Sequence, residues 1–150
     1  MRNSFKQKNI LLISAAFIII QFYQPERNIT VEKTEKGFLK VYDIPKNVKS
    51  MLKTSCFDCH SNNTAYPWYS NIQPICFMMG RHIETGKENL NFDDWGIYSE
   101  RKRQNKIRGI IESIKKGEMP LSSYTLIHRN AVLSEVDKKM LIDFLKSIKI

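Results

Sequence analysis

The sequence is poor in the residues that announce most chemistries. It carries three cysteines and three histidines in 150 residues. Thiols so few exclude a disulfide-stapled scaffold, which needs several cysteine pairs. Its six glycines and five prolines are scattered and form no repeat or low-complexity tract. Acidic residues are outnumbered, 15 against 24 basic, for a net charge of +9. The basic residues show no interleaved aromatics and no nucleic-acid motif, so nucleic acid is not an expected partner. No acid/base pair or substrate-directed nucleophile is identifiable, so an enzyme is the less expected class. No segment alternates as a half-buried strand does; apolar residues recur at helical spacing, and the fold class reads as all-α.

One long apolar run stands out, Ile10–Tyr23 (ILLISAAFIIIQFY), and Arg2, Lys6 and Lys8 are the only charges before Glu26. A positive flank before an apolar stretch is the layout of an export signal. At helical rise the run reaches roughly 21 Å, short of the about 30 Å hydrocarbon core. No small-x-small cleavage site closes it, and Phe22 and Tyr23 suit the membrane interface. The reading is an uncleaved signal-anchor: an N-terminal membrane helix within residues 1–25, basic flank cytoplasmic. A single-pass inner-membrane protein with a periplasmic domain would result. Residues 26–44 read as a polar tether and 45–150 as the domain. Asn28-Ile29-Thr30 meets the N-glycosylation pattern, which matters only in a eukaryotic secretory route.

Against this background Cys56-Phe57-Asp58-Cys59-His60 is the informative motif. C-x-x-C-H is the pattern of c-type haem attachment. Two thiols two residues apart can add across the two vinyl groups of one haem, and the next residue, His60, falls under the iron as proximal ligand. The bland readings are a redox pair, half a zinc site or a structural disulfide. A thioredoxin-like pair wants a βαβ context, and a zinc site wants a second ligand pair. Cys76, His82 and His128 form none. One covalent haem c is therefore the expected cofactor.

Helical stripes frame the motif. Val48, Met51 and Leu52 predict a helix from Pro45 into Cys56, which would let both thiols project to one side. Pro74 opens a second helix, with Ile75, Phe77, Met78, Met79, His82 and Ile83 on or near its buried face and Gly86 as its end. Asp93 or Asp94 can cap a short turn near Trp95. Ile107, Ile110, Ile111 and Ile114 mark a long basic helix stopped at Gly117. SSYTLIHRNAVL reads as a loop. Ser134 with Asp137 resembles a capping box before the stripe Met140, Leu141, Phe144, Leu145, Ile148.

Three residues compete for the far side of the iron. Met119, in Gly-Glu-Met-Pro, sits in a loop stiffened by Pro120, free of helical direction. A thioether raises the potential relative to a second imidazole. His82 is the bis-histidine alternative. His128 ranks third, as a surface or propionate-side group. Tyr66, Trp68 and Tyr69 pack either on the haem or in ordinary core. Cys76 is left over as a buried free thiol.

The segments CFDCHSNNTAYPWYSNIQP, Arg81-His82-Ile83, Leu90-Asn91-Phe92 with Trp95, and GEMPLSSYTLIH together resemble the small bacterial haem-binding domain proteins. Those have a cytochrome c-like fold and commonly an N-terminal membrane segment. The resemblance covers about residues 40–150. It implies Cys56 and Cys59 as attachment thiols, His60 as proximal ligand and Met119 as distal ligand; His82 matches a recurrent histidine of that family. Cys76-Phe77 departs from it, where a bulkier aromatic pair is expected. The expectation is a membrane-anchored monohaem c-type cytochrome domain that carries single electrons to a redox partner; the basic surface reads first as a solvated face, with steering of an acidic partner or closeness to anionic lipid as the alternatives. The alternatives are a haem-based sensor or gas binder, or a small haem peroxidase using an open distal site.

Overall fold

The computed structural model describes residues 2–31 and 35–149, with residues 2–5 as backbone alone. The described residues form eight α-helices: α1 (Arg2–Ile20), α2 (Phe38–Val41), α3 (Lys46–Ser55), α4 (Phe57–His60), α5 (Ile75–Asn89), α6 (Glu100–Lys116), α7 (Ser122–Ile127) and α8 (Glu135–Ser147). Three 3₁₀ turns lie at Trp68–Asn71, Trp95–Ile97 and Arg129–Ala131. Extended pairing among the described residues is one isolated antiparallel bridge, Ile29 with Asn63. The domain is all-helical, as the periodicity predicts.

The core follows the stripes. Val48 and Leu52 of α3, Ile107 and Ile114 of α6, and Leu141 and Leu145 of α8 are buried together. They close on an aromatic cluster that the stripes do not reveal. Phe38 and Trp95 are fully buried, rings edge-on at 4.8 Å, with Phe92 tilted against Phe38 at 5.2 Å. The Trp95 indole N–H donates to the Tyr42 hydroxyl at 3.1 Å, so its polar edge is satisfied inside the core.

Local chemistry sets the helix ends. Ser99 Oγ accepts from Lys102 N at the start of α6. Gly117, with φ of 69°, ends it in the left-handed conformation that costs glycine nothing. Ser134 and Asp137 form the predicted reciprocal capping box of α8.

Five expectations change. A helix does form over the apolar N-terminal run, but among the described residues no helix is long and apolar enough to cross a membrane. α1 stops at Ile20, so Gln21–Tyr23 do not extend it. Its uncharged part, Ile10–Ile20, reaches only about 16 Å at helical rise, roughly half of a ~30 Å hydrocarbon core.

The segment 26–44 is not a free tether, although its residues 32–34 lie outside the described ones. Asn28 Nδ2 donates to Ser61 O at 2.8 Å and Thr64 Oγ1 at 2.9 Å, and its Oδ1 accepts from Lys87 Nζ at 2.6 Å. That amide serves the fold rather than a glycan. Phe38 and Ile44 belong to the core. The segment was read as tether because its few apolar residues lack a stripe; burial by Phe92 and Trp95 decides it instead.

α5 runs past Gly86 to Asn89. The stretch SSYTLI, read as loop, is α7. Met78 is 54% exposed and Phe77 48% exposed, because the buried face of α5 is narrower than its apolar content and is carried by Cys76 and Ile83.

Candidate functional site

The motif is shaped by a break in the chain. α3 is fixed by the burial of Val48 and Leu52. Its last turn ends at Cys56, whose N–H still donates to Leu52 O at 3.0 Å while its φ of −131° leaves the helix. Cys56 then starts α4, accepting on its carbonyl from Cys59 N at 3.2 Å and His60 N at 3.0 Å. The helix from Pro45 into Cys56 forms as expected, and a second short helix, α4, follows it with a bend at the first thiol. The bend swings Cys59 and His60 onto the cavity that Cys56 also lines.

That cavity has a volume of about 750 Å³, within the range of small-molecule and cofactor sites. Cys56, Cys59 and His60 line it, and so do Met119 and His82. Its walls are α4, the last turns of α5, the cavity-facing side of α6 and the Met119–Leu121 loop. Leu90, Phe92, Ile110, Ile114 and Leu133 make it mainly apolar, with Lys102 and Lys106 as cations on the α6 side. His82 lies on the exposed surface of α5, against the expectation of a buried position. Its place one turn before Gly86 brings it to the cavity all the same.

His60 is the most constrained group. Its Nδ1 lies 2.9 Å from Gly86 O and 3.0 Å from Leu90 O. Both partners are carbonyls, so Nδ1 carries the proton and Nε2 is the nitrogen left with a free lone pair. The His60 carbonyl accepts from Phe92 N at 2.8 Å. Phe57 stacks on Phe92 at 4.9 Å and 4°. The motif is therefore clamped through backbone and ring to residues 86–92.

Gly86 makes the clamp possible. A Cβ at this position would lie 2.6 Å from the Cys59 carbonyl oxygen, a distance real side chains do not reach. α5 touches α4 backbone to backbone there.

The thiols are both free, and burial raises them. Cys56 is pushed up to about 12, by burial first and the neighbouring Cys59 second. Cys59 is pushed up to about 11, by burial and then Asp58. Asp58, between them in sequence, accepts from the Tyr124 hydroxyl at 2.7 Å and from Ala65 N at 3.2 Å. Tyr124, held also near Thr54 O at 3.1 Å, is raised by burial and by its bond to Asp58.

Other candidates fall elsewhere. His128 does not line the cavity; it stacks on Tyr124 at 4.2 Å and meets the Tyr69 hydroxyl through Nε2. Trp68 is 76% exposed. The Tyr66 hydroxyl accepts from Asn28 N at 2.7 Å, under Arg27. None of the three rings lines the cavity. Cys76 is buried and donates to Gln24 Oε1 at 3.2 Å.

Sequence reasoning missed Tyr124, in a stretch without a stripe, and offered Asp93 only as a cap near Trp95, a position that Asp94 takes. Asp93 Oδ2 accepts from Asn62 N at 2.7 Å, pinning the loop after the motif.

The donor set fits haem: two thiols, one imidazole with Nε2 free, a thioether, apolar walls and two cations suited to propionates. Fold and site together define a small all-helical cofactor-binding domain. The chain matches the family model described as "Haem-binding domain" over residues 15–147, and it belongs to that family. No curated protein and no solved structure matches it.

Proposed function

We propose that the chain is a monohaem c-type cytochrome domain acting as a one-electron carrier. The observation that carries this is the convergence of Cys56, Cys59 and His60 on one cavity, with His60 Nδ1 anchored to two carbonyls. Cys56 and Cys59 would hold the haem through thioether links, and His60 Nε2 and Met119 would be its iron ligands. Bound haem supplies a reversible one-electron couple. The protein's part is to fix the imidazole, keep water from the apolar walls and offset propionate charge with Lys102 and Lys106. The residues after α1 work outside the cytoplasm, in the periplasm, where the N-terminal run directs them. The basic surface steers an acidic redox protein to the site.

The position of His82 on the cavity favours a second reading, in which Met119 would not hold the iron and the open side would admit a gas or peroxide. His82 then acts as the polar distal group.

An intact mass of the chain, exported with c-type maturation machinery and measured after acid–organic extraction, tests the proposal. One retained haem is the expected result. A bare polypeptide with Cys56 and Cys59 oxidised to each other overturns it. Peroxide turnover abolished by His82→Ala would move the assignment to the second reading.

A further inference from the structure

Two glycines line the cavity from facing segments of the fold, and they differ in what surrounds them. At Gly86 the protein explains the residue, since Cys59 occupies the place of a side chain. At Gly109 it does not. Gly109 lies in the interior of α6, where glycine is less favourable than alanine. A Cβ there would meet nothing within 4 Å, and no turn or positive φ asks for glycine. Yet Gly109 belongs to the wall of the cavity that holds Cys56, Cys59 and His60.

Asn105 and Ser113, one turn to either side on the same strip of α6, line that wall as well. The wall is therefore bare backbone at the middle of the strip, with a short side chain above and below. Nothing in the polypeptide fills the space this leaves.

From this we infer that Gly109 is a cofactor-clearance position: its missing side chain is the room a flat macrocycle needs to lie against the α6 backbone. The inference rests on the haem reading and goes beyond it, because it assigns binding specificity to a residue with no functional group. The rival account is a solvent-facing position where side chains of any size are tolerated.

The test compares wild type, Gly109→Ala, Gly109→Leu and a control, Gln104→Leu, which places the same leucine on α6 at a residue exposed as Gly109 is but outside the cavity. Each full chain is produced with c-type maturation machinery. Haem loading is read by intact mass, and the helicity and Tm of the haem-free chain by circular dichroism. Gly109→Ala should raise the haem-free Tm by about 3 °C. Gly109→Leu should retain helicity and lose at least ten-fold in loading, while Gln104→Leu loads as wild type does. Wild-type loading and an unchanged Soret band in Gly109→Leu would overturn the inference. If Gly109→Leu unfolds, Gly109→Ala decides: several-fold weaker loading on a more stable chain supports clearance, and equal loading rejects it. A wild type that takes up no haem would sink the haem reading, and this inference with it.

Discussion

The Nδ1 of His60 and the carbonyl oxygen of Gly86 stand 2.9 Å apart, at the place where α4 and α5 come too close for any side chain. One residue thus does two things: its lack of a Cβ admits the motif, and its carbonyl aims the imidazole. Gly86→Ala should separate the two helices. The expected cost is about 1–3 kcal/mol of stability, read as a lower denaturation midpoint of the haem-free chain. In the loaded protein the same substitution should shift the Soret band and potential. An unchanged midpoint together with an unchanged spectrum would remove Gly86 from this role.

Met119→Ala should lower the reduction potential and change the iron's spin state, since a thioether is replaced by water or nothing. His82→Ala should leave both unchanged. The opposite pattern, with the low-spin spectrum surviving Met119→Ala and lost in His82→Ala, would identify a bis-histidine site. Optical spectra and a redox titration of the two variants separate the cases.

The thiols give a pH dependence whose sign is fixed. Burial raises Cys56 to about 12 and Cys59 to about 11, from an ordinary value of 9.0. Above about pH 9 the unfolded chain releases protons that the folded chain still holds, so alkali favours unfolding. The contribution is fully present below pH 9 and is lost as pH rises through 11 to 12. The reduced, haem-free chain should therefore show a lower urea midpoint at pH 10.5 than at pH 8. Alkylation of its thiols at pH 8 should be at least about ten-fold slower than in urea-unfolded chain, because the thiolate is the nucleophile. Equal midpoints and equal alkylation rates would refute the burial argument.

Tyr124→Phe removes the hydroxyl shared by Asp58 and Thr54. The Asp58 carboxylate then keeps only its bond from Ala65 N, at 3.2 Å. A loss of about 1–2 kcal/mol is expected, measured by chemical denaturation, with the loop 61–66 exchanging amide hydrogens faster. No change in either would show that the bond carries no weight.

The parts legible in the sequence were those written in local code. α3, α5, α6 and α8 each carry a stripe, and their ends were marked by Pro45, Pro74, Gly117 and the Ser134–Asp137 box. The C-x-x-C-H spacing is short-range and marked Cys56, Cys59 and His60 as a group, which the fold brings to one cavity. What stayed hidden depends on contacts between distant segments. Phe38 is a lone aromatic until Trp95 and Phe92 enclose it, and α2 is too short to show a period. α7 exists because Tyr124 reaches Asp58, a contact 66 residues apart. Gly86 looked like a helix stop because a glycine at a close helix crossing and a glycine at a helix end are the same letter.

The stretch between α1 and the motif carries one more consequence. Buried Gln73 donates its amide to Tyr23 O at 2.6 Å, and its backbone N–H donates to Gln21 Oε1 at 2.9 Å. Gln24 reaches Asn71, and the Asn28 side chain is held by three partners. A protease that trimmed the chain after Gln24 would strand a buried amide, at about 1–3 kcal/mol. The folded unit thus includes its own stem. α1 therefore leaves the folded unit from a pinned base rather than from a loose linker.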